Sequence, residues 1–131
     1  MTVLDRAAIL AAQDMTIETL SVPEWGGDVC IRVIRAKERD AFESGVTEQR
    51  GRSTSVNYSN IRARLCALAM CNESGERIFT DVDVNELGNK SGAALDRVFD
   101  AAMRLNRMRK EEIEELAKNS ESGQSEENSS S

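Results

Sequence analysis

The sequence predicts an α+β fold: a mostly helical single domain with a small antiparallel β-hairpin. Three observations carry this. Two short runs with strand character are separated by a Pro/Gly turn at 23–27. Most of the remaining chain repeats its apolar residues at helical spacing. Only five of the 131 residues are aromatic (Trp25, Phe42, Tyr58, Phe79 and Phe99), so the core rests on Leu, Ile, Val, Ala and Met.

A first short helix is expected over 4–13, with Leu4, Ala8, Ile9, Leu10 and Ala12 as its apolar members and Thr2 or Asp5 as its cap. Residues 16–22 read as a strand, ended by Pro23, which has no N–H to give a ladder. Pro23-Glu24-Trp25-Gly26-Gly27 reads as a turn, its glycines open to positive φ. In the next strand Val29, Ile31 and Val33 alternate with Asp28, Cys30 and Arg32, the period of a half-buried strand. The two strands form the hairpin.

Residues 36–49 form an amphipathic helix with Phe42 and Val46 at i,i+4, weakened by Gly45. An exposed loop over 50–57 follows. The next helix, from Ser59 to about Cys71, aligns Ile61, Leu65, Leu68 and Ala69 on one face and is expected to be the best-buried element. Residues 72–76 read as a turn and Ile78-Phe79 as a short apolar anchor. Thr80 or Asp81 caps a short helix that stops at Gly88. Ser91 opens a helix to about Arg107 with Leu95, Val98, Phe99 and Ala102 in register, and a charged helix over about 109–118 carries Ile113 and Leu116. The domain therefore spans 1–118. Residues 119–131 contain no apolar side chain and are expected to be a disordered Ser/Glu-rich tail.

Charge and composition exclude function classes. The net charge is −6 and there is no His, which removes any Ser-His or Cys-His nucleophilic pair and the commonest metal ligand. An acidic balance argues against a dedicated nucleic-acid binder. Cys30, Cys66 and Cys71 form no C-x-x-C pair, which fits free thiols in a reducing compartment rather than a disulfide framework. The first residues do not read as a signal peptide, and no apolar stretch approaches the ~18 residues of a membrane span. Asp81-Val82-Asp83-Val84-Asn85-Glu86 imitates the start of a calcium loop but places Glu86 where glycine belongs and Gly92 where the closing Glu belongs. The sequence implies no catalytic, cofactor or metal site.

The candidate partner-binding residues form three groups. Trp25 is either an interface anchor or, the favoured reading, a plug folded over the hairpin. Arg50, Arg52, Arg62 and Arg64 form a basic cluster whose default role is a solvated edge; a functional cluster would suit an acidic protein segment better than nucleic acid, since Tyr58 is the one aromatic nearby. Leu95, Phe99 and Leu105 offer an apolar stripe that could be left exposed for a partner, although ordinary core is the default for each.

The order of elements carries a resemblance. A short helix and a strand lead to Pro23-Glu24-Trp25-Gly26-Gly27, and the strand Val29–Arg35 runs directly into Ala36-Lys37-Glu38-Arg39-Asp40-Ala41-Phe42-Glu43. There follow Ile61-Arg62-Ala63-Arg64-Leu65, the block Asn72–Asp81, Glu86-Leu87-Gly88-Asn89-Lys90-Ser91 and the helix Leu95–Asn106. Over roughly residues 4–118 this resembles the tail assembly chaperones of long-tailed bacteriophages. The resemblance implies a protein that is not an enzyme and acts in the cytoplasm of the bacterial host. It would bind the tape-measure protein and keep it soluble while tail-tube subunits polymerise around it, and would be absent from the mature virion. It further implies a homo-oligomer, and a frameshifted long form that recruits the tail-tube protein. The readings held against it are a nucleic-acid-associated regulator using the Arg cluster and a structural tail subunit.

Overall fold

The computed structural model describes residues 2–52 and 58–115, with the side chains of 46–52, Tyr58 and Ser59 excepted. The expected tail over 119–131 lies outside the described residues. The elements run α1 (Arg6–Ala11), β1 (Ile17–Val22), β2 (Gly27–Arg32), α2 (Ala36–Arg52), α3 (Tyr58–Ala69), β3 (Met70–Cys71), α4 (Val84–Leu87) and α5 (Gly92–Leu105), followed by a helical segment over 110–115. The fold is α+β and dominated by helices, as the sequence predicts.

β1 and β2 form the expected antiparallel hairpin, with Ile17 opposite Arg32 and Val22 opposite Gly27. Pro23–Trp25 makes one 3-10 turn, and Gly26 closes it at φ 76°, a left-handed conformation that suits glycine. The sheet has a third strand that the sequence reading placed in a helix. α3 ends at Ala69, and Met70 and Cys71 pair with Ile31 and Cys30 of β2. The free edge of β2 supplies ladder hydrogen bonds there, and the switch sets Met70 beside Ile31 in the core. The chain then turns through 72–76, where Asn72 Oδ1 accepts from Ser74 N (2.8 Å) and Glu76 N (3.0 Å). Gly75, at φ 87°, lies against Ile17.

α5 crosses the inner face of the hairpin and packs along α3. Val22, Ile31, Leu65, Met70, Leu95 and Val98 are fully buried between them. Ser91 caps α5 by accepting from Ala94 N (3.3 Å). Two ion pairs tie α5 to the hairpin: Arg104 to Glu18 (3.0 Å) and Arg97 to Glu24 (2.8 Å). Lys110 pairs with Asp100 at 2.8 Å, and Ile113 buries itself, so the segment 110–115 folds back on the core.

The other face of the sheet departs from simple alternation. Ile31 and Arg32 are both buried, because the start of α2 and the end of α3 meet Arg32. The Arg32 side chain is 4% exposed; it donates to Glu38 Oε2 (2.8 Å) and to the Leu68 carbonyl (2.9 Å). Glu38 Oε1 accepts from Arg35 N (2.8 Å) and so caps α2. Asn106 completes this polar knot: its Oδ1 accepts from Ile34 N (2.8 Å), and its Nδ2 donates to the carbonyls of Ala102 (2.9 Å) and Arg32 (3.4 Å).

α2 also runs further than the sequence suggests. It continues through Gly45 to Arg52, so 50–52 is helix rather than loop; 53–57 lies outside the described residues. Gly45 has a packing reason, because a Cβ there would collide with Nη1 of Arg64.

Two predictions follow from the polar knot. Asn106→Ala leaves the buried Ile34 N–H without its acceptor and should lower stability by about 2 kcal/mol, read from the urea midpoint at neutral pH. Burial pushes the Glu38 carboxyl up, but hydrogen bonds from Arg32 and the Arg35 N–H, with their charges, outweigh it and hold the group below the ordinary carboxylate range. That contribution is present above the unfolded carboxylate value, near pH ~4.3, and is lost as pH falls through the lower folded value. In Arg32→Met the burial effect should win and the sign reverse. Acidification below about pH 5 should then narrow the stability gap between variant and parent. A gap constant from about pH 3 to 7 would show that Glu38 is not held by Arg32.

Candidate functional site

Two of the concavities on the described surface and one exposed projection stand out. The larger concavity is a groove of about 800 Å³ between α2, α3 and the segment leading into α4. Phe42 and Leu68 contribute to its apolar wall, and Arg64 of the lining lies over Gly45 of α2. Lys37, Arg64 and Arg77 bring three positive charges to it, against Glu38 and Asp81. Glu38 is committed to Arg32, and Asp81 accepts from Arg77 at 3.3 Å. The lining thus combines apolar surface with a cationic excess, which suits an amphipathic helix carrying acidic side chains.

The second concavity is a socket of about 450 Å³ lined by Trp25, Phe79 and Leu87, with Asp83, Glu86 and Lys90 also contributing. Each wall has a local cause. Trp25 comes from the 3-10 turn, which the Arg97–Glu24 pair fastens to α5. Phe79 follows the bridge between Cys71 and Arg77 and the hydrogen bond from Ile78 N to the Met70 carbonyl (3.4 Å). Leu87 sits on α4, whose approach is fixed by a capping box between Thr80 and Asp83. The acidic run 81–86 is thus a helix start, with Asp83 Oδ2 accepting from Thr80 N at 2.8 Å.

The projection is the N-terminal arm. Asp5 caps α1 by accepting from Ala8 N (2.9 Å), yet no residue of α1 is buried. Val3 is 91% and Leu10 68% exposed. A cap candidate and an apolar run were visible in the sequence. Its failure to pack was not, although so short a helix with apolar residues spread around it offers no single face to a core.

The residues singled out from the sequence fall in different places. Trp25 is half-buried, packed on the core while lining the socket. Arg62 and Arg64 do not share a patch. Arg62 turns towards α5 and pairs with Asp96 at 2.6 Å, its Nε buried without an acceptor among the described residues, whereas Arg64 faces the groove. The side chains of Arg50 and Arg52 lie outside the described residues. The expected apolar stripe of Leu95, Phe99 and Leu105 is corrected: Leu95 and Phe99 are core residues, 2% and 3% exposed, and Leu105 is partly buried against them. The stripe faces α3 and the hairpin, because helix α5 is the element that closes the core. Sequence reasoning missed Phe79, Leu87 and Lys90 as members of one site; only Phe79 carried a signal, as an apolar residue in a polar stretch.

The thiols do not converge. Cys66 faces α5 and donates to the Leu95 carbonyl (3.6 Å), while Cys30 and Cys71 sit opposite each other across the β2–β3 pair. Among the described residues no group of three His, Cys, Asp or Glu is placed to hold a metal ion, and no helix is long and apolar enough to cross a membrane.

The fold is similar to that of the tail assembly chaperone of bacteriophage HK97, with a TM-score of 0.54 and 19% identity over 70% of this chain and 85% of that one. At that identity the likeness is one of fold. The sequence itself matches the phage tail assembly chaperone family over residues 4–119, and the chain belongs to that family. Comparison with curated proteins finds no match. Tail assembly chaperones are in general non-enzymatic.

Burial pushes the Cys66 thiol up to about 12. At pH 8 roughly one molecule in 10⁴ then carries the reactive thiolate. Cys66 should resist maleimide in the folded protein and react after denaturation, as read by peptide mass mapping. Labelling of native Cys66 as fast as the half-buried Cys30 would contradict this placement.

Proposed function

We propose that this chaperone binds the tape-measure protein of its phage, keeps that long helical client soluble while the tail tube polymerises, and leaves before the virion is complete. Family membership over residues 4–119 is the observation that carries the reading. The groove between α2, α3 and α4 supports it, since apolar surface flanked by Lys37, Arg64 and Arg77 fits successive amphipathic segments of a helical client. Contacts of that kind are individually weak, and self-association multiplies them by avidity. The chain therefore acts as a homo-oligomer in the host cytoplasm. A frameshifted long form, extended beyond the domain at 1–118 and the tail at 119–131, recruits the tail-tube protein. Of the sequence candidates, Arg64 and Trp25 line concavities and are retained as partner contacts; Arg50 and Arg52 are retained on the sequence alone.

Co-expression with the tape-measure protein tests this. The client should move from the insoluble to the soluble fraction and co-purify with several copies of the chaperone. Arg64→Glu together with Lys37→Glu should reduce the co-purified client at least severalfold, since both remove cations from the groove. Mass spectrometry of purified virions should find no trace of the chain. A client that stays insoluble beside a well-folded chaperone, with both short and long forms present, removes the reading.

A further inference from the structure

The large apolar residues that stand exposed among the described residues lie in two places. Val3, Leu4, Ile9, Leu10, Met15 and Ile17 occupy the N-terminal arm and its junction with β1; Ile78 and Val82 lie on either side of the stretch that begins with Phe79 of the socket. α1 has only six residues, too few for a helix to be stable in water without packing, and among the described residues none of its side chains is buried. It is nevertheless capped by Asp5 and followed by an irregular linker, 12–16. A linker of that length can reach up to about 17 Å.

The socket supplies what the arm lacks. Trp25, Phe79 and Leu87 surround a cavity of about 450 Å³ to which α1 contributes no residue. Arm and socket each carry both signs, Asp5 and Arg6 side by side on the arm and Asp83, Glu86 and Lys90 at the socket, so each sign on the arm has an opposite one to meet. Arg6 is the one cation among residues 2–15, and Glu86 lies at the socket beside Asp83. Among the described residues neither Arg6 nor Glu86 makes an ion pair with another group.

We propose that the arm of one copy docks in the Trp25–Phe79–Leu87 socket of a second copy of this chain, with Leu4, Ile9 and Leu10 filling the cavity and Arg6 meeting Glu86. The inference rests on the reading of the chain as a homo-oligomer and names the surfaces that build it. Arm and socket are different patches of one molecule, so the contact is heterologous and each copy retains one of each for a further neighbour.

Sedimentation velocity of the full chain over a range of concentrations tests the docking. The parent should assemble as concentration rises. Leu4→Ser with Leu10→Ser should weaken assembly at least roughly tenfold, because both side chains lose apolar area that only a partner can cover. The thermal midpoint of the dilute variant should not move, since neither residue is buried in the monomer. Arg6→Glu and Glu86→Arg should each weaken assembly about threefold or more, and the two charge reversals combined should restore it. Assembly of the Leu4/Leu10 variant at parental strength overturns the docking while leaving self-association standing. Failure of the combined reversal to restore what each single reversal loses overturns the Arg6–Glu86 contact and the register built on it. A parent that stays monomeric at every concentration removes the homo-oligomer and the docking together.

Discussion

The turn from sheet to helix at Arg32 constrains the rest of the molecule. Here β2 ends, α2 begins, and the last turns of α3 and α5 arrive, all within reach of two buried polar side chains, Arg32 and Asn106. Arg32 spans from the carbonyl that ends α3 to the carboxylate that caps α2. Asn106 satisfies the Ile34 N–H just after the sheet and bonds the Ala102 carbonyl near the end of α5. Arg39 adds a bond from α2 to the Asn106 carbonyl at 3.2 Å. A buried ion pair of this kind contributes little net stability compared with an apolar replacement of the same shape, yet loss of one partner costs about 3–5 kcal/mol. Its effect is therefore on geometry: the donors and acceptors are satisfied only when the four elements meet in one arrangement.

That arrangement sets where the concavities fall. The inner face of the hairpin is closed by α5 and has nothing left to offer a partner. On the outer side, α2 is anchored at its first turn through Glu38, and further along Arg64 of α3 lies over its Gly45. The socket follows from the sheet's other end, where the 3-10 turn carrying Trp25 and the chain leaving β3 with Phe79 approach α4. Rigid supports thus surround both concavities, and neither depends on a long loop among the described residues.

The regular parts of this fold were legible because their signals are local. Alternation and the Pro23–Gly27 turn give the hairpin, and the periodicity of Leu95, Val98, Phe99 and Ala102 gives α5. Three features were not legible, each for a long-range reason. Met70 and Cys71 leave the helix because β2 has an open edge, which no local pattern displays. Arg32 occupies a position that alternation assigns to solvent; it is buried because Glu38 and the Leu68 carbonyl meet it there. Leu95 and Phe99 form an apolar stripe whose default reading is core but which periodicity alone does not separate from an exposed face; the packing of α3 and the hairpin against it decides. The basic cluster shows the same limit. Arg62 and Arg64 are two residues apart, which on a helix sends them to different sides, one to Asp96 and the other to the groove.

A protein that handles an apolar client must display apolar surface without precipitating through it. Among the described residues the exposed large apolar side chains fall in two short stretches, and the chain carries a net charge of −6. Like charge discourages indiscriminate collapse, while complementary charges still permit one defined contact. The sequence shows the same division of labour. Residues 7–12 are entirely apolar and would be a liability on a flat surface, but on a short capped arm they can be covered by a single socket. The groove, where cations outnumber anions, draws in acidic segments and leaves the arm free. If the arm serves copies of the chain and the groove serves the client, assembly and client binding occupy separate surfaces. Neither then has to be released for the other to form, which is the condition for an oligomer to add its weak contacts along one long partner.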